Sequence, residues 1–277
     1  MRRMGGGAAR RPERMLLVLA AVLGAVAARG DEPLAAGAEP VAAALAARGD
    51  RAAASAAVAA LARRVAAGEE GARAALVRAR YFLAAQFLPE GEAAAELETA
   101  VQEGLAGLGR ALGQPLEGFD ALDEARARLG REQVPLAYWT ALAYGAWIPH
   151  LSVFSRLGAA RRFRRVLERL VELDGGYFYA GPHRVLAEFL AQAPGIAGGD
   201  EQAARDHALR AVELAPGYIE NHVVYAAVHH RERDPEAYRE ALRRAAAMPV
   251  DGVAAPDVPE QRAARARARR LLEQARP

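Results

Sequence analysis

Two stretches decide the fold: FRRVLERLVELDGGY at residues 163–177 and ARDHALRAVELAPGY at residues 204–218. They align without a gap, and both pass through Val-Glu-Leu to a Gly-Tyr pair. A third, weaker copy runs from Tyr238 to Met248 and is closed by Pro249. Apolar residues at helical spacing, ended by glycine or proline, predict amphipathic helices that recur along the chain.

The second copy is similar to the second helix of a tetratricopeptide repeat. Ala204, Ala211 and Pro216 stand seven and five residues apart. Small residues at such positions let two helices approach closely, and the proline ends the helix. One such unit cannot bury its own apolar face, so units stack into a solenoid with a groove. The first two copies are 41 residues apart, more than the roughly 34 of the standard repeat, which predicts longer loops.

The composition agrees with a fold made only of helices. The 277 residues are 52% hydrophobic and 6% aromatic. Alanine, leucine, arginine and glutamate, which favour helices, are common, while isoleucine and threonine are rare. The sequence therefore predicts an all-α, tetratricopeptide-like helical repeat array of about a dozen helices, with room for a central cleft or pore. Predicted helices cover residues 72–87, 93–112 and 119–129, and later ones follow Pro135, Gly158, Pro182, Asp200, Gly217, Pro235 and Pro259.

The first residues have the pattern of a secretory signal. Residues 1–14 are basic, and residues 15–28 form the apolar run MLLVLAAVLGAVAA. The small residues at its end predict a signal peptide over residues 1–28 that is cleaved near Ala28. Retention as a membrane anchor is the alternative, although a spanning helix needs about 20 apolar residues. We expect residues 29–40 to be a linker, residues 41–277 to form a helical repeat domain, and the protein to be periplasmic or secreted.

Charge and cysteine content exclude several classes of protein. The formal net charge is +3, and cleavage after Ala28 would remove five arginines and one glutamate, leaving a nearly neutral chain. No basic footprint then remains to indicate a nucleic-acid partner. The chain has no cysteine, which excludes disulfides, zinc–thiolate sites, thiol nucleophiles and a lipid anchor on an N-terminal cysteine.

Aromatic residues are the first candidates for a binding site. Tyr138, Trp139, Tyr144 and Trp147 lie on one predicted helix, and Tyr177 and Tyr179 flank Phe178. They can form the wall of an apolar ligand cleft, or ordinary core between helices. Three consecutive aromatic residues cannot all point one way on a regular helix, so at least one is expected to face a groove or a neighbouring unit.

Histidines and Arg184 complete the candidate ligand-binding residues. His183 and Arg184 follow Gly181-Pro182 at a predicted helix start, where free N–H groups can receive an anion and Arg184 can pair with a carboxylate. The alternative is that both hydrogen-bond between repeats. His222 shares a helix face with His229, but a metal site needs a third convergent ligand, and we expect no metal.

Catalytic patterns do not appear in the sequence. Ser152 and Ser155 lie outside any G-x-S-x-G motif. The glycine-rich segment at residues 195–200 has no preceding strand and no Lys-Ser or Lys-Thr pair to bind phosphate. We therefore expect no catalytic residue and no cofactor, and a protein that is not an enzyme.

Residues 134–248 resemble the TatT component family associated with TRAP transporters. The stretches that carry the resemblance are VPLAYWT at 134–140, GYFYAGPHR at 176–184, GGD at 198–200, AVELAPGY at 211–218 and HVVYA at 222–226. The resemblance implies an all-helical, tetratricopeptide-like periplasmic protein. It also implies a TRAP-type solute-binding protein as partner and an apolar pore or cleft for a hydrophobic or amphiphilic ligand.

The resemblance leads to two hypotheses of function. The first is a non-enzymatic protein, accessory to a TRAP-type transport system, that binds the solute-binding protein and an apolar small molecule. The second is a generic periplasmic tetratricopeptide scaffold for envelope protein assembly, without a small ligand. A structure without a cleft between the helix of Tyr138 and the segment of Tyr177 would favour the second.

Overall fold

Twelve α-helices and no strand make up residues 38–275, the part of the chain that the computed structural model describes. The predicted signal peptide and most of the predicted linker lie outside these residues. The all-α helical repeat array is thereby confirmed. The helices are α1 Ala38–Ala46, α2 Arg51–Ala66, α3 Arg73–Phe87, α4 Glu90–Leu112, α5 Phe119–Ala125, α6 Val134–Trp147, α7 Val153–Asp174, α8 Tyr177–Gln192, α9 Glu201–Leu214, α10 Ile219–His229, α11 Pro235–Ala247 and α12 Val258–Gln274.

Aspartate and glycine set several of the helix ends. Asp50, Asp200 and Asp234 each accept a hydrogen bond from a backbone N–H in the first turn of the helix that follows, at 2.9 to 3.0 Å. These caps satisfy donors that a helix leaves without an internal partner. Gly113, with a φ of 67°, ends α4 in the left-handed conformation that glycine adopts without strain.

Several predicted boundaries were wrong. Helix α4 begins at Glu90 instead of residue 93, and α8 contains Pro182 instead of beginning after it. Helix α7 runs straight through Gly158 and begins at Val153, because the Ser152 side chain accepts a hydrogen bond from the Ser155 N–H and caps the helix. Helix α5 ends at Ala125, and residues 126–128 form a 3-10 turn instead of continuing to residue 129.

The internal repeat is visible in the packing. Each copy buries three residues that are separated by four and then three positions along the helix. The three sets are Phe163, Leu167 and Leu170 on α7, Ala204, Ala208 and Ala211 on α9, and Tyr238, Leu242 and Ala245 on α11. The weaker third copy is therefore a structural copy as well.

The first and last parts of the described chain meet in a buried ionic cluster. Helix α1 packs on the turn at residues 255–257. Arg78 Nη2 lies 2.8 Å from Asp257 Oδ1, and Arg78 Nε donates to Glu260 Oε1 at 2.9 Å. Arg48 also pairs with Glu260, at 2.8 Å. Buried charges of this kind are tolerated because they are paired, so the array is closed by contacts between its two ends.

Burial and the neighbouring charges shift the pKa values of the residues in this cluster. Burial lowers the pKa of Arg48 to about 10. Burial also raises the pKa of Asp257 to about 6, against the opposing effect of Arg78. For Glu260, burial works to raise the pKa, but the two guanidinium groups together lower it.

Among residues 38–275, none of the helices combines the length and the hydropathy of a membrane-spanning segment.

Candidate functional site

A left-handed turn places the aromatic residues at the start of α8. Phe178, Tyr179 and Ala180 have φ values of 56°, 54° and 58°, a conformation that costs a residue with a Cβ roughly 1–2 kcal/mol. Arg184 and Asn221 each donate a hydrogen bond to the Tyr179 carbonyl at 3.1 Å. These hydrogen bonds stabilise the left-handed turn, which carries the rings of Phe178 and Tyr179.

All three consecutive rings pack inward because of this turn. Tyr177 lies 5.4 Å from Tyr138, measured between ring centroids, and Phe178 lies 4.2 Å from Trp139. Tyr179 stacks on Tyr218 of the neighbouring unit at 4.9 Å. Tyr179 thus faces a neighbouring unit, as expected for at least one of the three rings, although the backbone there is not the regular helix on which that expectation was based.

The remaining predicted aromatic residues lie in the core of α6. Tyr138 is fully buried and Trp139 is 3% exposed. Tyr144 stacks on Phe119 of α5 at 3.7 Å, and Trp147 is partly buried beside Tyr144. Between α6 and the start of α8, Tyr138 packs on Tyr177 and Trp139 packs on Phe178. This is the packing expected of the scaffold hypothesis, and contact of these rings with a ligand stays a prediction.

Arg184 is engaged with protein acceptors. Its side chain is 1% exposed, and it donates to Asn221 Oδ1 at 2.8 Å and to Tyr138 Oη at 3.2 Å. These contacts join α8, α10 and α6. The structure thus places Arg184 in hydrogen bonds between units, which was the alternative to anion binding.

His183 and His222 have separate partners. His183 Nδ1 lies 2.8 Å from His207 Nδ1 on α9, and burial, followed by the charge of His207, lowers the pKa of His183 to about 4. His222 Nε2 lies 2.7 Å from the Pro216 carbonyl oxygen. The two predicted residues therefore do not converge, and within residues 38–275 no three histidines or carboxylates are grouped as a metal site.

An apolar cavity lies elsewhere, between α7 and α8. Its volume is about 300 Å³. Its walls come from the turn before α7, the first half of α7, the second half of α8 and the loop after it. The lining residues are Ile148, Pro149, Val153, Arg156, Leu157, Ala160, Phe163, Val185, Glu188, Phe189, Gln192, Ala193, Pro194, Ile196 and Ala197.

Two charged side chains line this apolar cavity. Arg156 is partly exposed and donates to the carbonyl oxygens of Leu151 and Pro149, at 2.9 and 2.6 Å. Glu188 is 4% exposed and pairs with Arg267 of α12 at 2.5 Å. Among residues 38–275, Arg156 forms no salt bridge with a carboxylate, whereas the charge of Glu188 is paired inside the protein.

Three exposed apolar side chains occur at this cavity or next to it in the chain: Val153 and Ile196 line it, and Phe154 follows Val153. Phe154 is 97% exposed, Val153 is 70% exposed and Ile196 is 69% exposed. We call these three residues the apolar rim. Isolated exposed apolar residues are ordinary, but a group of them beside a cavity is typical of a binding surface.

Sequence reasoning did not find the cavity. None of the nine candidate residues lines it, although Trp147 precedes the lining residue Ile148. The available signals were the apolar pair Val153-Phe154, which follows Pro149 by four residues, and Ile196, which follows Pro194-Gly195 in a loop. Apolar residues in loops and in the first turns of helices are not required for a helical core, so they can indicate a binding surface.

A comparison with protein-family models identifies the family of this chain. The model of the TRAP transporter T-component family matches residues 72–277. The chain belongs to this family. A comparison with curated proteins finds no match. The family supports an accessory role in TRAP transport for this T-component. The cavity and the apolar rim lie entirely within the matched residues.

Proposed function

We propose that the protein is a periplasmic, non-enzymatic T-component that binds an apolar or amphiphilic ligand in the cavity between α7 and α8 and docks on a TRAP-type solute-binding protein. Family membership supports the transport role. The observation that carries the ligand proposal is the apolar cavity of about 300 Å³ with Arg156 in its wall.

The cavity has the properties of a small-molecule site. Its volume lies at the lower end of the range for ligand pockets, which are mostly apolar with a few polar groups. If a methylene fills about the volume of a water molecule, roughly 30 Å³, the cavity holds about ten heavy atoms. Arg156 can form a charge-assisted hydrogen bond with an anionic head group, while Leu157, Phe163 and Phe189 surround the chain.

The apolar rim supports a partner surface at the mouth of the same cavity. Phe154 does not line the cavity, and its side chain is almost completely exposed. Aromatic side chains with this exposure contribute strongly when a partner buries them. A partner protein bound to the apolar rim would cover the opening of the cavity. Ligand exchange and partner binding would then involve the same face of the protein.

A fluorescent apolar naphthylamine dye, displaced by decanoate, tests the ligand site. Ala160→Trp should abolish dye binding because Ala160 lines the cavity and the indole fills it. Ala106→Trp on the exposed face of α4 is the matched control and should bind the dye like the wild type. Equal binding by the two variants would rule out the cavity as the ligand site.

Cross-linked capture from the periplasm of the source cells tests the partner. The wild type should recover a TRAP-type solute-binding protein, and Phe154→Ser should reduce the recovery without changing stability. Leu209→Ser, at another exposed apolar position on α9, should have no effect. Recovery of envelope-assembly proteins alone would favour the scaffold function instead.

A further inference from the structure

A second cavity lies where the start of α11 packs against the end of α12. Its volume is about 230 Å³, and it shares no lining residue with the cavity between α7 and α8. Arg231, in the turn after α10, and Arg239, on α11, both line it. None of the lining residues is acidic. The walls of this cavity therefore carry two positive charges that no carboxylate in the walls balances.

The two guanidinium groups keep most of their hydrogen-bond donors. Arg231 is exposed and has neither an ion pair nor a hydrogen bond within the described residues. Arg239 is half-buried, and its Nη1 reaches the Ala275 carbonyl oxygen at 3.5 Å, beyond the usual range of about 2.7–3.2 Å. By contrast, Arg243 on the same helix pairs with Glu240 at 2.8 Å. Both guanidinium groups at the cavity can thus donate to a further acceptor.

Two neutral side chains add donors to the same walls. Tyr238 lines the cavity, and its hydroxyl group has no hydrogen-bond partner within the described residues. Unlike the unpaired hydroxyl groups of Tyr179 and Tyr218, it is not enclosed by protein. Burial raises the pKa of Tyr238, against the effect of Arg231, so the hydroxyl group is protonated at neutral pH and can donate. Gln274, exposed at the end of α12, adds an amide.

These donors fit a compact oxyanion with two negative charges. Two guanidinium groups at one cavity repel each other, and a dianion between them balances both charges. Guanidinium groups also match the oxygen atoms of a phosphate group with two parallel hydrogen bonds. At about 30 Å³ for each heavy atom, the cavity holds roughly seven heavy atoms, enough for a phosphate group and a short substituent. A single carboxylate would balance only one of the two charges.

We propose that the cavity between α11 and α12 binds a phosphate group, which accepts hydrogen bonds from Arg231 and Arg239 and is oriented by the Tyr238 hydroxyl group. The phosphate group belongs to a small soluble molecule or to the head group of a lipid, since both present the same acceptor atoms. The site is independent of the apolar cavity and of the function proposed for it.

Titration calorimetry with inorganic phosphate, in a phosphate-free buffer of constant ionic strength at about pH 8, tests the site. The wild type should bind phosphate with a saturable isotherm, and acetate should bind more weakly. Arg231→Gln and Arg239→Gln should each raise the Kd about tenfold, as the loss of a charge-assisted hydrogen bond does. Arg262→Gln is the matched control and should bind like the wild type, because Arg262 is exposed on α12 but does not line the cavity.

Tyr238→Phe tests the orienting hydroxyl group. It keeps the ring among the core residues of α11 and α12 and removes only the oxygen atom. The Kd for phosphate should rise about fivefold, as for one neutral hydrogen bond. An unchanged Kd in this variant would overturn the role of Tyr238.

Vesicles distinguish the two sources of the phosphate group. If the ligand is a lipid, vesicles of phosphatidylcholine with phosphatidic acid should sediment the wild type, and inorganic phosphate should release it. A wild type that binds phosphate but stays in the supernatant has a soluble ligand. Both results support the site.

Two results would overturn the site. The first is the absence of saturable phosphate binding by the wild type. The second is an equal loss of phosphate binding in Arg239→Gln and Arg262→Gln, because it would show that the basic surface attracts anions without a defined cavity. Neither result affects the apolar cavity, whose dye test depends on other residues.

Discussion

Arg78 of the buried ionic cluster lies over two aromatic rings that contact each other. Its guanidinium carbon is 5.3 Å from the ring centre of Trp139 and 5.0 Å from that of Phe178. A cation over an aromatic face gains up to about 2 kcal/mol when water is excluded. Each of these side chains therefore stabilises the others, and the loss of one ring removes several contacts together.

Trp139→Ala should lower the free energy of unfolding by about 3–5 kcal/mol, as for other large buried aromatic residues. Trp147→Ala should cost less, because Trp147 is partly exposed and contacts fewer rings. Urea denaturation followed by circular dichroism measures both. Equal, small losses for the two variants would show that Trp139 is not a core residue.

The His183–His207 pair should make stability depend on pH. The pKa of His183 is about 4 in the folded protein, below the value of about 6.5 for a free histidine. The unfolded chain therefore binds more protons between these values, and the free energy of unfolding should fall as the pH drops from about 6.5 to about 4.

His183→Gln should flatten this part of the stability profile, measured by urea denaturation at several pH values. His150→Gln, at an exposed histidine, is the control and should leave the slope unchanged. A wild-type slope in the His183→Gln variant would assign the pH dependence to other groups.

At the scale of helices, α6 and α7 approach closely at a glycine. A Cβ at Gly145 would lie 2.7 Å from Phe163 Cζ and 2.8 Å from Cε2. Phe163 is buried, lines the cavity and packs edge-on against Phe189. The glycine thus sets both the helix contact and the position of a cavity wall.

Gly145→Ala should destabilise the fold by about 1–3 kcal/mol, as overpacking does, and should weaken dye binding because Phe163 must move. Gly91→Ala at the start of α4 meets nothing within 4 Å, and should be neutral or stabilising by up to about 1 kcal/mol. Thermal unfolding and dye titration of both variants test this, and identical behaviour would contradict the close approach.

Helix number, helix class and most caps could be predicted because they depend on local sequence. The aspartate caps and Gly113 act within one turn of their own helix. The left-handed turn at residues 178–180 could not be predicted, since Arg184 and Asn221 hold it from other parts of the chain. The cavity could not be predicted either. It lies where the first half of α7 meets the second half of α8, and the hydrophobic periodicity of a sequence does not show which parts of two helices lie side by side.

At the scale of the whole molecule, the contact between the two ends depends on Glu260. It binds both Arg48 and Arg78, and all three side chains are buried. Removal of one member of such a cluster leaves an uncompensated charge in the interior. The contribution of Glu260 to stability should therefore exceed that of any exposed ion pair.

Glu260→Ala should lower the free energy of unfolding by about 3–5 kcal/mol and increase amide hydrogen exchange in α1 as well as in α12. Glu273→Ala, at an exposed position on the same helix, should change stability by less than about 0.5 kcal/mol. Exchange that increases in α12 alone would show that α1 is not held by this cluster.

The closed array also has a consequence for the order of folding. Arg48 and Glu260 are separated by 212 positions in the chain, and Arg78 and Glu260 by 182. Contacts between residues so far apart form slowly. A chain that emerges from a ribosome or a translocation channel with its N-terminus first cannot pair Arg48 with Glu260 until the start of α12 has emerged. During synthesis or export, α1 therefore waits for α12 before the contact between them can form.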